Sequence, residues 1–145
     1  MKVLLIFTWI YAAFIAMAFW EAYAEGRNAW HKGKLGWKIK LGKYYFSAYH
    51  FYLFVAMMPL LLSLPLIVYG WNSELFGILV SAYFSGLVLE DFIWFIVNPS
   101  VKLKEFYSSF SDYYPWIKVS RKKIIPLSYV LGIAIAILSW ILLWR

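Results

Sequence analysis

Residues Leu75 to Val97 read LFGILVSAYFSGLVLEDFIWFIV. At ~1.5 Å per residue, a helix of this length crosses roughly 30 Å of hydrocarbon. Gly77, Ser81 and Ser85 recur four apart beside Ala82 and Gly86, the spacing that lets a second helix approach closely. Glu90 and Asp91 follow about two turns before the end. An acid near the centre of a membrane helix costs ~2.5–3.5 kcal/mol, so acids in a span call for a function or a partner. The segment therefore reads as a membrane helix with one packed face and chemistry near one end.

Three further stretches have the same character: Val3 to Ala22, Tyr45 to Trp71 and Ile124 to Trp144. A transmembrane barrel would need strands of about ten residues alternating apolar and polar. These runs are apolar on every side, so the expected fold is all-α: a four-helix transmembrane bundle forming one membrane domain over residues 1–145. Composition agrees, with 64% hydrophobic and 14% charged residues and a mean hydropathy of +0.70, more apolar surface than a water-soluble core of this size hides. Lys2 and the Ala22-Tyr23-Ala24 triplet resemble a signal peptide, but the apolar run exceeds a usual signal core, and the segment is expected to be retained. The absence of cysteine excludes disulfides, thiolate metal sites and cysteine nucleophiles.

Positive charge orients the bundle. Arg27, Lys32, Lys34, Lys38, Lys40 and Lys43 lie between the first two spans, and Lys102, Lys104, Lys118, Arg121, Lys122 and Lys123 between the last two, leaving only Lys2 and Arg145 of the 14 elsewhere. The positive-inside rule then places both long loops in the cytoplasm and both termini on the other side. A multi-pass protein of the cell membrane is expected. Arg27, Lys34, Lys38, Lys40, Lys43, Lys122 and Lys123 are expected on anionic lipid headgroups, and the net charge of +7 is read as lipid attraction rather than nucleic-acid binding. In the first loop, Trp37 to Leu41 alternate apolar and basic, and four glycines argue against a long helix. After Asn98-Pro99, residues Leu103, Phe106, Phe110 and Tyr113 or Tyr114 share one helical face, which predicts an interfacial helix over 100–114 ended by Pro115. Pro59 and Pro65 predict a kink near Ser63.

Four ionisable side chains share one depth in this arrangement: Glu21, His50, Glu90 and Asp91. Glu90 continues the Ala82, Gly86 row and so points inward, while Asp91 lies about 100° round the helix and flanks the same site or a neighbouring one. Glu25 is one turn beyond Glu21, nearer water. Carboxylates with one imidazole suit a divalent ion such as Zn, Mn or Fe, but no HExxH or ExxH spacing is present. The competing reading neutralises the acids with Arg27 or loop lysines and gives His50 an ordinary hydrogen bond. Proton or ion movement is a third reading. His31 is expected in solvent.

The spans hold no lysine for a retinal Schiff base and only His50 for haem, and the chain carries no Walker A loop, GxSxG elbow or spaced arginines. Trp20, Tyr23, Tyr44, Tyr45, Trp94 and Trp116 at one interface, and Tyr69, Trp71, Trp140 and Trp144 at the other, read as aromatic belts. The segment Glu90-Asp91-Phe92-Ile93-Trp94-Phe95-Ile96-Val97-Asn98-Pro99, with Gly42-Lys43 and Tyr49-His50, resembles a family of small uncharacterised prokaryotic integral membrane proteins, mainly over the second and third spans. In that family's pattern a Trp-His pair follows; here Tyr114-Pro115-Trp116 lacks the histidine, and the resemblance implies no activity. Function therefore reads as a metal-binding membrane protein acting on a lipid or lipid-soluble substrate, with an accessory subunit of a membrane complex, a homo-oligomer or a small transporter as alternatives.

Overall fold

The computed structural model describes residues 2–145. Four helices are long and apolar enough to cross a membrane: Lys2–Glu25, Ala48–Tyr69, Ser73–Val97 and Leu127–Trp144. The second and fourth begin later than hydropathy placed them, because the residues before each form strands. Strand β1 (Lys38–Leu41) pairs with β2 (Tyr44–Ser47), and β3 (Trp116–Val119) with β4 (Lys122–Pro126), in two antiparallel hairpins. The chain is thus mostly helical rather than all-α. Both hairpins sit where the first and third helices end and the second and fourth begin, here called the loop end.

The first hairpin turns at Gly42-Lys43, where Gly42 has φ 62°, a left-handed backbone that only glycine adopts freely. The second turns at Ser120-Arg121 with φ of 49° and 69°, the mirror-image turn that matches strand twist but usually recruits Asn and Gly.

The interfacial helix expected over 100–114 does not form. Two short 3₁₀ turns, Leu103–Tyr107 and Ser109–Ser111, take its place. Serine chemistry explains the break: Ser108 Oγ accepts from Phe110 N at 3.1 Å, and Ser111 Oγ donates to Phe106 O at 2.5 Å, so side chains take up backbone groups that a continuous helix would need. Phe106 and Tyr114 become core residues beside Trp94, Phe95 and Tyr129.

The third helix is central. Phe14, fully buried, lies so close to Gly86 that an added Cβ would stand 2.3 Å from its ring. On another face, Gly132 approaches Phe84 O and Gly77 approaches Leu143. Short polar side chains tie the contacts: Ser81 Oγ donates to Ala136 O at 2.8 Å, Ser139 Oγ to Gly77 O at 2.9 Å, and Tyr11 OH to Ser85 Oγ at 2.8 Å. Gly77, Ser81, Ser85 and Gly86 of the third helix and Gly132, Ala136 and Ser139 of the fourth are therefore used inside the chain. Thr8, Ala12 and Ala16 instead lie exposed on the first helix.

Met58, Leu62 and Leu66 pack the second helix against the first and third, while Leu60, Leu61, Leu64, Ile67 and Val68 are exposed. An apolar face of that extent suits lipid, not water. A π-helical turn over Phe51–Met57 precedes Pro59, and the chain then runs as α-helix through Ser63 and Pro65 to Tyr69. At π pitch Phe54 O would accept from residue 59, but Pro59 has no N–H. Tyr83 OH of the third helix donates to Phe54 O instead.

Candidate functional site

The loop end is assembled from local stops. The first helix ends at Gly26, φ 54°, whose N–H closes on Ala22 O at 3.1 Å, and this final turn carries Glu21 and Glu25 beside the fully buried Ala18 and Ala22. Asn98 ends the third helix and clamps it to the first. Its Nδ2 donates to Gly26 O at 2.9 Å, while its Oδ1 accepts from Ser100 N at 2.8 Å and Val101 N at 3.1 Å. Glu90 sits two turns before this clamp, one turn beyond Gly86. His50 stands in the first turn of the second helix, its Nδ1 2.8 Å from Ser47 Oγ, with the Trp30 ring 4.0 Å from its own. Trp30 is held over the imidazole by a hydrogen bond from Nε1 to Tyr45 O at 2.6 Å.

These elements enclose a cavity of about 40 Å³ lined by Glu21, Glu25, His50 and Glu90, with Asp91, Trp30 and Trp94 among its walls. One ligand atom each of Glu21, Glu25 and His50 lies within 4.8 Å of the others, and all three residues are buried. The Glu90 carboxyl lines the same cavity beside Glu21. Glu90 is only 3% exposed, and its Oε1 has no hydrogen-bond partner, nor has the buried Trp94 Nε1 in the same wall. Glu21 Oε1 accepts from Tyr49 OH at 2.6 Å. Glu25 Oε1 lies 2.6 Å from Lys34 Nζ.

Against the sequence expectations, Glu21 and His50 converge, Glu90 adjoins them through Glu21, and Glu25, expected nearer water, completes the group. Asp91 faces the neighbouring tyrosines. Its carboxylate accepts from Tyr114 OH at 2.6 and 2.7 Å and from Tyr129 OH at 2.5 Å. Burial beside Asp91 holds the Tyr114 phenol well above its usual range, so it stays a donor. No Lys or Arg forms an ion pair with Glu21, Glu90 or Asp91 among the described residues.

Three of the cations expected on headgroups are paired with carboxylates, Arg27 while exposed and Lys34 and Lys123 half-buried. Arg27 makes a bidentate pair with Glu105 at 3.2 and 2.8 Å and donates to Ser100 O at 2.7 Å. This clasp holds the Glu105 carboxyl down at about 2. The Lys34 side chain is 11% exposed against Glu25, and Lys123 pairs with Asp112 at 2.9 Å. Lys38, Lys40, Lys43 and Lys122 remain exposed. His31 is half-buried, stacked on Tyr45 at 4.6 Å, and burial with Lys38 and Lys32 nearby lowers its pKa. Trp94, read as belt, is buried in the cavity wall. Trp116 packs against the aromatic core.

Two contributors were not singled out from sequence, Trp30 and Tyr49. Trp30 has φ 60°, a backbone outlier invisible in sequence. Tyr49 carried a signal only through its place beside His50.

Fold and cluster together define a multi-helix chain of membrane character with a buried carboxylate–imidazole group at one end. No protein-family model, no curated protein and no solved structure matches it.

Proposed function

We propose that the chain is a multi-pass membrane protein that binds one divalent transition-metal ion, of the Zn, Mn or Fe class, through Glu21, Glu25, His50 and Glu90. The observation that carries the reading is convergence: three buried ligand atoms within 4.8 Å of one another, beside a fourth buried group, the Glu90 carboxyl, with an unpartnered oxygen. Ligand atoms around such an ion at 2.0–2.2 Å stand about 3–4 Å apart, so closure asks for about 1 Å of side-chain movement. Oxygen and imidazole donors without sulfur suit these metals. A doubly charged cation would also offset carboxylates that no lysine or arginine pairs, which is otherwise costly in a low dielectric. Glu25 can keep Lys34 on one oxygen and offer the other.

The twelve-to-two distribution of Lys and Arg supports loops and hairpins in the cytoplasm and termini opposite. The site then opens toward the cytoplasmic leaflet. A bound ion there would act as a Lewis acid on a carbonyl or phosphoryl oxygen of a lipid or lipid-soluble substrate. Ion conduction is the weaker reading, because the fully buried Phe14 packed on Gly86 fills the bundle one turn beyond Glu90.

Elemental analysis of detergent-purified protein, stripped with chelator and dialysed against Zn, Mn or Fe(II), tests the proposal. About one ion per chain is expected, falling at least tenfold in Glu21→Gln and in His50→Ala while Lys40→Gln keeps it. No ion above the buffer level, or full occupancy in both site variants, overturns it.

A further inference from the structure

A second concavity lies outside the carboxylate cavity, between the 3₁₀ turns and the β3–β4 hairpin. It is an open cup of about 480 Å³ lined by Ser108, Ser109, Asp112, Lys118, Arg121, Lys122 and Lys123, with Tyr107 at its edge. Four cations face one carboxylate, and that carboxylate is occupied, since Asp112 Oδ1 takes Lys123 Nζ at 2.9 Å. Lys118, Arg121 and Lys122 have no ion-pair partner among the described residues.

The hairpin concentrates this charge by a specific device. Ile117 pairs with Ile125 but Lys118 pairs with Lys123, a register shift that leaves Ile124 as the extra residue of a bulge. Strand side chains alternate between faces, so without the bulge Lys123 would share the face of Ile125. With it, Lys123 joins Lys118 and Trp116, and its Nζ lies 5.0 Å from the Trp116 ring centroid. Like charges directly across a strand pair are unfavourable, an arrangement that an anion between them relieves.

The opposite face carries Ile117, Val119 and Ile125, all exposed, with Lys122, the pair of Val119, at its turn end and reaching round to line the cup. β4 runs into the fourth helix at Leu127 with no linker, so the hairpin stands at the membrane surface, continuous with an apolar helix. We propose that this cup binds the phosphate of an anionic phospholipid headgroup while the Ile117, Val119 and Ile125 face rests in the interface. Lys118, Arg121 and Lys122 supply the charge, and the Ser109 hydroxyl supplies a neutral donor. The apolar face and the direct join to the fourth helix select a lipid over a soluble phosphate. The proposal is independent of the metal site.

The test is thermal unfolding of the full chain in neutral detergent, titrated with phosphatidylglycerol, phosphatidylcholine or inorganic phosphate. Phosphatidylglycerol is expected to raise Tm saturably, the other two not. In the triple variant Lys118→Gln, Arg121→Gln, Lys122→Gln its apparent affinity falls roughly a hundredfold, since each basic residue near an anionic surface contributes about fivefold. Lys2→Gln with Arg145→Gln, at the opposite end of the bundle, leaves it within threefold. Equal response to phosphatidylcholine, equal response to inorganic phosphate, or an unchanged affinity in the triple variant overturns the assignment. Should the triple variant fail to fold, Arg121→Gln alone must weaken binding about fivefold, and no change there also overturns it.

Discussion

Gly86→Ala links packing to the site. The new Cβ would stand 2.3, 2.5 and 3.1 Å from three ring atoms of Phe14, whereas carbon atoms rest about 3.5–4.0 Å apart. Phe14 is fully buried and has the Tyr83 ring at 6.0 Å, so it cannot swing away, and the first and third helices must part by about 1 Å. Overpacking of this kind costs ~1–3 kcal/mol, against which alanine returns at most ~1 kcal/mol of helix propensity. A net loss of about 1–2 kcal/mol is expected in reversible unfolding from mixed micelles. The same parting moves Glu90, one turn beyond Gly86, from Glu21 on the first helix. Closure on the ion already asks for about 1 Å of side-chain movement, and the parting roughly doubles that demand on Glu90 while the final bond lengths allow only ~0.2 Å, so metal affinity falls at least tenfold. Phe14→Leu in the same chain makes room and restores most of both losses. Gly86→Ala with unchanged stability and metal affinity would refute the packing argument and its coupling to the site.

Tyr114→Phe and Tyr129→Phe each remove a hydrogen bond to the Asp91 carboxylate and should cost about 1.5–3 kcal/mol; the double variant costs more than the sum, and Asp91→Asn in that background recovers stability, read by the same unfolding assay. Tyr83→Phe strands Phe54 O at a cost of about 1–3 kcal/mol, and Pro59→Ala restores a backbone donor, so the pair is less damaging than the single change. The Arg27–Glu105 clasp lowers a carboxyl from its ordinary 4.5 to about 2; a depressed carboxyl stabilises the fold above its unfolded value and loses that as pH falls through the folded one. The clasp should therefore stay closed above pH about 4.5 and open toward pH 2, with the Glu105 carboxyl carbon titrating near 2 by NMR and returning to the ordinary range in Arg27→Gln.

Hydropathy made the four helices legible because lipid demands long apolar runs wherever the chain crosses. It misplaced two helix starts for the same reason: Tyr44–Ser47 and Ile124-Ile125 are as apolar as a membrane helix, and only pairing distinguishes them. The first hairpin left a trace in the alternation of Trp37 to Leu41 and in Gly42. The second left none, since Ser120-Arg121 lacks the residues its turn favours. The 100–114 stripe of Leu103, Phe106, Phe110 and Tyr114 suggested one helical face, but Ser108 and Ser111 capture the backbone and break the helix, leaving Phe106 and Tyr114 in the core and Leu103 exposed. Depth along the spans brought Glu21, His50 and Glu90 together on paper. Glu25 escaped because its burial depends on the first loop folding back to deliver Lys34, and Asp91 was diverted by Tyr129 and Tyr114, each distant in sequence.

X-ray absorption at the zinc edge, on protein loaded with one equivalent of Zn, addresses the central proposal at the level of individual ligands. It should give nitrogen and oxygen scatterers at about 2.0–2.2 Å with a single imidazole, and the imidazole signature should vanish in His50→Gln. A shell of oxygens alone, or a spectrum that His50→Gln leaves unchanged, would contradict the proposed centre.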